Sequence, residues 1–119
     1  MNYQLELNDR PFKAILKGTK KVEGRVPTHW DKTPYEQMKK GDTITFFRVS
    51  DRKEMTVAVL YVRHYPDTKT MLESEGTKNV LSSGGNIKQG INSYNSIENY
   101  QENIPKYGIY AIGVKSLKE

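Results

Sequence analysis

The chain has 119 residues, the size of one domain with one core, and its 35% hydrophobic and 28% charged content marks a folded rather than a disordered sequence. A balance of 19 basic against 14 acidic side chains gives a formal charge of +5 and a pI near 9.3, which favours anionic partners at low salt without naming one. The lack of cysteine excludes disulfides, thiolate metal sites and a cysteine nucleophile; no apolar run has the form of a secretion signal or reaches the ~20 residues that span a bilayer. The expectation is a single cytoplasmic domain, residues 1–119, with no membrane partner and its oligomeric state left open.

Asn8-Asp9-Arg10-Pro11 joins a capping residue to an early proline, and Phe12, Ile15 and Leu16 follow at helical spacing until Gly18. A strand is expected from Lys21 to Val26, with Lys21, Glu23 and Arg25 on one face and Val22 and Val26 entering a core. Lys20 stands at the corner before it, where the preceding helix dipole alone favours a cation. The loop 27–34 carries His29, Asp31 and the sole tryptophan, Trp30, and Tyr35 to Met38 makes one helical turn.

Thr43–Val49 and Glu54–Tyr65 are rich in β-branched and aromatic residues and read as antiparallel strands joined by Ser50-Asp51-Arg52-Lys53. In the second, Met55, Val57, Val59 and Tyr61 alternate with Thr56, Ala58, Leu60 and Val62, and both sets are apolar enough to require cover by helices. Asp67 caps a helix over 68–75 that ends at Gly76. Ser82-Ser83-Gly84-Gly85 breaks the chain, and Asn86 caps a helix bearing Ile87, Ile91 and Tyr94. Asn95-Ser96-Ile97-Glu98 has the form of a capping box opening another helix through Tyr100, and Pro105 and Gly108 close that region. Ile109–Val114 is a last strand with Tyr110, Ile112 and Val114 on one face. The order argues for an α+β fold, a small closed β-barrel with inserted helices, whose single core holds Val22, Ile44, Phe46, Val57, Val59, Ile112 and Val114.

Lys20, Glu23 and Arg25 admit three readings. As a recognition site, Arg25 offers a planar fork, Lys20 a point charge and Glu23 an acceptor for an exocyclic amine. As a catalytic site, a desolvated Lys20 acts as base and Glu23 moves the proton. The plainest reading is an exposed strand edge with a Glu23–Arg25 ion pair. Trp30, in a polar loop beside these residues, is the stacking candidate; Tyr65 divides evenly between site and core, and Tyr94, Tyr100 and Tyr107 are spaced for packing helices on the sheet. His29 and His64 lack metal-ligand spacing, and nothing calls for a cofactor. Arg48, Arg52, Lys53, Lys106, Lys115 and Lys118 either solubilise the surface or extend a phosphate-tracking one.

Gly18, Lys20, Glu23 and Arg25, as Gly-x-Lys-x-x-Glu-x-Arg, resemble the signature of the ASCH family, named for activating signal cointegrator homology. The resemblance continues through Gly41-Asp42, the strand ending at Tyr65, Met71 to Gly76, and Gly90, Tyr94, Tyr100 and Tyr107-Gly108-Ile109, so it spans roughly Leu5 to Leu117. It implies a PUA-like barrel related to RNA-binding modules, with a basic cleft containing Lys20, Glu23 and Arg25 that binds RNA or a modified nucleotide. The alternative it implies is a hydrolase acting on an acylated nucleoside or on RNA. A bacterial branch of acetylcytidine amidohydrolases has a lysine matching Lys20 but a nucleophilic threonine where Glu23 stands, and other relatives are described as ribonucleases. The covalent route therefore does not carry over to this chain.

Overall fold

A computed structural model describes residues 1–117, so Lys118 of the candidate basic surface lies outside the described residues. Five strands form one sheet in the order β1-β3-β4-β5-β2, from β1 (Asn2–Leu7), β2 (Val22–Arg25), β3 (Thr43–Arg48), β4 (Glu54–Tyr65) and β5 (Ile109–Ser116). β1 runs parallel to β3, and the other pairs are antiparallel. The strand β1 was not anticipated, although Tyr3, Leu5 and Leu7 alternate with Asn2, Gln4 and Glu6 and place Leu5 and Leu7 in the core.

The sheet curls into half a barrel and does not close, which corrects the expected closed barrel. β1 and β2 are its two edges, and no ladder joins them among the described residues. The outward edge of β2 is occupied by side chains, Lys20 at the Val22 carbonyl and Tyr94 against Gly24, instead of by a second strand.

Two cores flank the sheet rather than the single one expected. Ile44, Phe46, Val57, Val59, Ile112 and Val114 pack with Phe12 and Ile15 of α1 (Asp9–Lys17) and with Tyr35 in a 3-10 turn, Tyr35–Gln37. Val22 belongs to the other core, with Val26, Ile109, Ala111 and residues of α2 (Thr68–Glu75), α3 (Thr77–Val80), α4 (Ile87–Asn95) and α5 (Tyr100–Tyr107). A bulge between Val59 and Tyr61 divides β4 between them. Met55, Val57 and Val59 face the first core, but past the bulge Val62 takes that face and Tyr61 turns to the second, because one extra residue inverts the alternation.

Local signals set the helix ends. Gly18 closes α1 at φ 86°, where glycine alone carries no Cβ penalty. The Asp67 carboxylate accepts from the Thr70 amide at 2.8 Å, and Asn86 and Gln89 form a reciprocal capping box. The box expected at 95–98 does not form: the Ser96 amide bonds to Asn92 as α4 ends, and α5 starts at Tyr100 behind Asn99, held at φ 70°. Pro105 lies inside α5 rather than ending it. No helix among the described residues is long and apolar enough to cross a membrane.

Candidate functional site

β2 is an edge strand buried inside the molecule, so its outward amides and carbonyls need partners other than water. The Val114 amide donates to Lys21, which by alternation turns the polar groups of residues 22, 24 and 26 away from β5. Side chains take them. The Lys20 ammonium donates to the Val22 carbonyl at 2.8 Å and to the Val80 carbonyl at the end of α3. The Gly24 amide meets the Tyr94 hydroxyl, and the Val26 amide meets that of Tyr100. Gly24 is required for this closure, because a Cβ there would lie 2.4 Å from the Tyr94 hydroxyl oxygen.

Glu23 and Arg25 share a face as the alternation predicts, whereas Lys21, outside the strand, is exposed. They are not at an exposed edge: Lys20, Glu23 and Arg25 are only 4%, 6% and 8% exposed. Glu23 Oε1 lies 3.4 Å from Lys20 Nζ, and Arg25 Nε donates to Glu23 Oε2 at 2.7 Å. Arg25 Nη2 donates to the Glu6 carbonyl of β1 at 2.8 Å, and Nη1 is 3.8 Å from Asp31 Oδ2. Asp31 is itself fixed by the Tyr35 hydroxyl at 2.7 Å and by the Thr33 amide and hydroxyl.

Burial pushes the Lys20 ammonium below its ordinary range, and Glu23 opposes that shift. Burial alone would raise the Glu23 carboxyl, but Arg25 and Lys20 outweigh it and hold the group below the usual carboxylate range. Burial likewise opposes the Arg25 charge, yet Glu23 raises its affinity for the proton further still. The two carbonyls and the carboxylate around Lys20 match the three N–H donors of its ammonium. Lys20 and Arg25 thus brace a carboxylate.

That carboxylate lines a cavity of about 370 Å³, within the size range of small-molecule sites. Lys20, Glu23, Gly24 and Arg25 supply its polar wall; Tyr94, Tyr100 and Trp30 supply an aromatic one. The rings run in a row, Tyr94 to Tyr100 at 6.4 Å and Tyr100 to Trp30 at 6.2 Å, each pair within 4° of parallel. Exposed Val49 and Ile97 border the opening. The charged lining residues are Lys20 and Arg25 against Glu6 and Glu23, so the lining charges balance instead of forming the basic cleft expected.

The structure therefore brings Lys20, Glu23, Arg25 and Trp30 together and leaves Tyr65 apart. The Tyr65 hydroxyl donates to Glu75 at 2.5 Å, in a separate cluster with Tyr61 and Arg63, and Tyr65 does not line the cavity. Tyr94 and Tyr100 do line it while packing helices on the sheet. Asp31 and the Glu6 carbonyl were missed, since their part depends on contacts across 19 positions for Glu6 and on the turn geometry of residues 28–31 for Asp31. No group of three or more His, Cys, Asp or Glu side chains among the described residues is arranged to hold a metal.

The pattern of the ASCH domain matches residues 5–118, and the chain belongs to the ASCH domain family, which is linked in general to RNA binding. Among solved structures, the hypothetical protein PH0355 shares 33% identity with a TM-score of 0.83, covering 98% of this chain and 100% of its own. Protein PF0455 from Pyrococcus furiosus shares 30% identity with a TM-score of 0.72 and full coverage of both chains. An ASCH protein from Zymomonas mobilis, at 14% identity and TM-score 0.55 over 96% of this chain and 68% of its own, shares the fold. No curated protein sequence matches the chain.

Proposed function

We propose that the cavity binds one base of RNA or of a modified nucleotide, with the base against the aromatic row and its amine edge toward Glu23. The observation that carries this is a buried carboxylate, braced by two cations, beside three parallel rings in one cavity. Two acceptor positions of Glu23 are used by Lys20 and Arg25, and a carboxylate has about four, so it can still accept from an exocyclic amine. Family membership supports the same class of ligand.

Hydrolysis by Lys20 and Glu23 is the less supported reading: burial does lower the proton affinity of Lys20, as a base requires, but its nitrogen is engaged by the Val22 and Val80 carbonyls and by Glu23. Trp30 is the only tryptophan and lines the cavity, so its fluorescence reports occupancy directly. Titration with nucleosides, nucleotides and short single-stranded RNA should give a saturable change. No response to any of them, confirmed by calorimetry, would reject the reading.

A further inference from the structure

The aromatic row runs out to the mouth of the cavity. Tyr94 and Tyr100 are buried, but Trp30, at the outer end, is 46% exposed. It is also fixed. Its turn is closed by reciprocal backbone bonds between Thr28 and Asp31, at 3.2 and 3.3 Å, and Asp31 is buried among Tyr35, Thr33 and Arg25. The indole Nε1 donates to Asn99 Oδ1 at 2.9 Å, and Tyr100 lies parallel to the ring. Asn99 makes this bond from a left-handed backbone conformation uncommon for a residue other than glycine.

A mobile surface tryptophan would lose conformational freedom on binding. One already fixed by a hydrogen bond, a neighbouring ring and a tight turn loses little, and so offers a preorganised planar surface. Exposed Val49 and Ile97 line the same cavity, making its opening apolar where solvent alone would favour polar side chains.

We propose that Trp30, at the mouth of the cavity, is a second base position on which the neighbouring base of a single-stranded RNA stacks while the first base lies deeper, against Tyr94 and Tyr100. This rests on the function proposed above and commits it to a chain ligand rather than a free nucleoside. Stacking on one exposed aromatic strengthens binding by roughly 5- to 150-fold per base.

The test is calorimetric titration of the wild-type protein, Trp30→Ala and Trp30→Phe with cytidine or adenosine monophosphate and with the dinucleotides that extend each by one base, at low and high salt. The wild type should bind the dinucleotide at least 5-fold more tightly than the mononucleotide. Trp30→Ala should abolish that gain, Trp30→Phe should keep part of it, and the residual gain should persist at high salt because stacking releases no counterions. Thermal unfolding of both variants near the wild-type temperature confirms that the fold is kept. Equal affinity for mono- and dinucleotide, or a gain that survives Trp30→Ala or vanishes with salt, overturns the second position while leaving the cavity reading standing. Failure of the wild type to bind either ligand overturns both.

Discussion

Arg25 donates from Nη2 to the Glu6 carbonyl at 2.8 Å and so links β2 to β1, the two sheet edges that share no ladder. The same guanidinium holds Glu23 through Nε and faces Asp31 through Nη1. One planar fork thus spans the open seam, orients the cavity carboxylate and meets the loop that presents Trp30. Removing it leaves Glu23 buried with Lys20 as its remaining cation. Arg25→Ala should therefore lower unfolding free energy by about 3 kcal/mol, the low end of the usual cost of removing one partner of a buried ion pair, because Lys20 still compensates Glu23 in part. Arg25→Lys should recover little, because a compact ammonium cannot serve three separated acceptors. Denaturant unfolding measures both, and a loss below about 1 kcal/mol for Arg25→Ala would show that the seam is held by other contacts.

Acid should weaken the fold through Glu23. Its folded-state affinity for the proton is reduced, so the unfolded chain takes up that proton first. The stabilisation it contributes is complete above its ordinary value of 4.5 and is lost as pH falls from there through the lower folded value. One such group gives a slope of up to about 1.4 kcal/mol per pH unit. Asp42, Asp51 and Asp67 are lowered as well, so the informative quantity is the difference between wild type and Glu23→Gln. That difference should shrink as pH drops below 4.5; a constant difference would mean that Glu23 does not titrate in this window.

Gly24→Ala tests the seat of Tyr94. The added methyl would lie 2.4 Å from the hydroxyl oxygen and 2.8 Å from Cζ, so the ring must leave the β2 edge. The expected cost is about 1–3 kcal/mol, as for overpacking elsewhere, with weaker ligand binding because the aromatic wall moves. Unchanged stability and affinity would show that Tyr94 has room to shift without consequence.

Where sequence and structure agree, the signals are local. The helix 68–75 has its cap at Asp67 and its stop at Gly76, and β4 is bounded by turn residues, so both fall at the residues expected. What was hidden depends on pairing. The bulge that turns Tyr61 to the second core has no signature in an evenly apolar strand. That β1 and β2 stay apart is settled by which strands hydrogen-bond, not by the composition of either. At the site, strand parity placed Glu23 and Arg25 on one face. Burial of both, and balanced lining charge under a net +5, follow from helices and loops packed across the edge.

The balanced lining also predicts how salt acts. Binding of an uncharged nucleoside should change little between low and moderate salt, since no phosphate is neutralised. Single-stranded RNA should lose about 0.7 log unit of affinity per log unit of salt for each phosphate contacted by surface lysines and arginines outside the cavity. A steep salt response from the nucleoside alone would mean that Lys20 or Arg25 leaves its internal partners to meet the ligand.

Glu23→Gln separates recognition from catalysis. The amide keeps the shape and one acceptor but leaves Lys20 and Arg25 without their buried anion, so stability should fall by about 3–5 kcal/mol and binding must be measured where circular dichroism shows the variant folded. If Glu23 accepts a hydrogen bond from the base, affinity should drop by about 1–3 kcal/mol as a charge-assisted bond becomes neutral, and neither protein should turn over substrate. If Glu23 instead moves a proton, affinity should stay nearly constant while hydrolysis of acetylated cytidine or short RNA falls by a factor of roughly 100 to 10,000. Lys20→Ala distinguishes the cases further, because a bracing lysine affects stability and binding together, whereas a base removes turnover. Hydrolysis by the wild type that disappears in both variants, with binding retained, would replace the binding reading with the hydrolytic one.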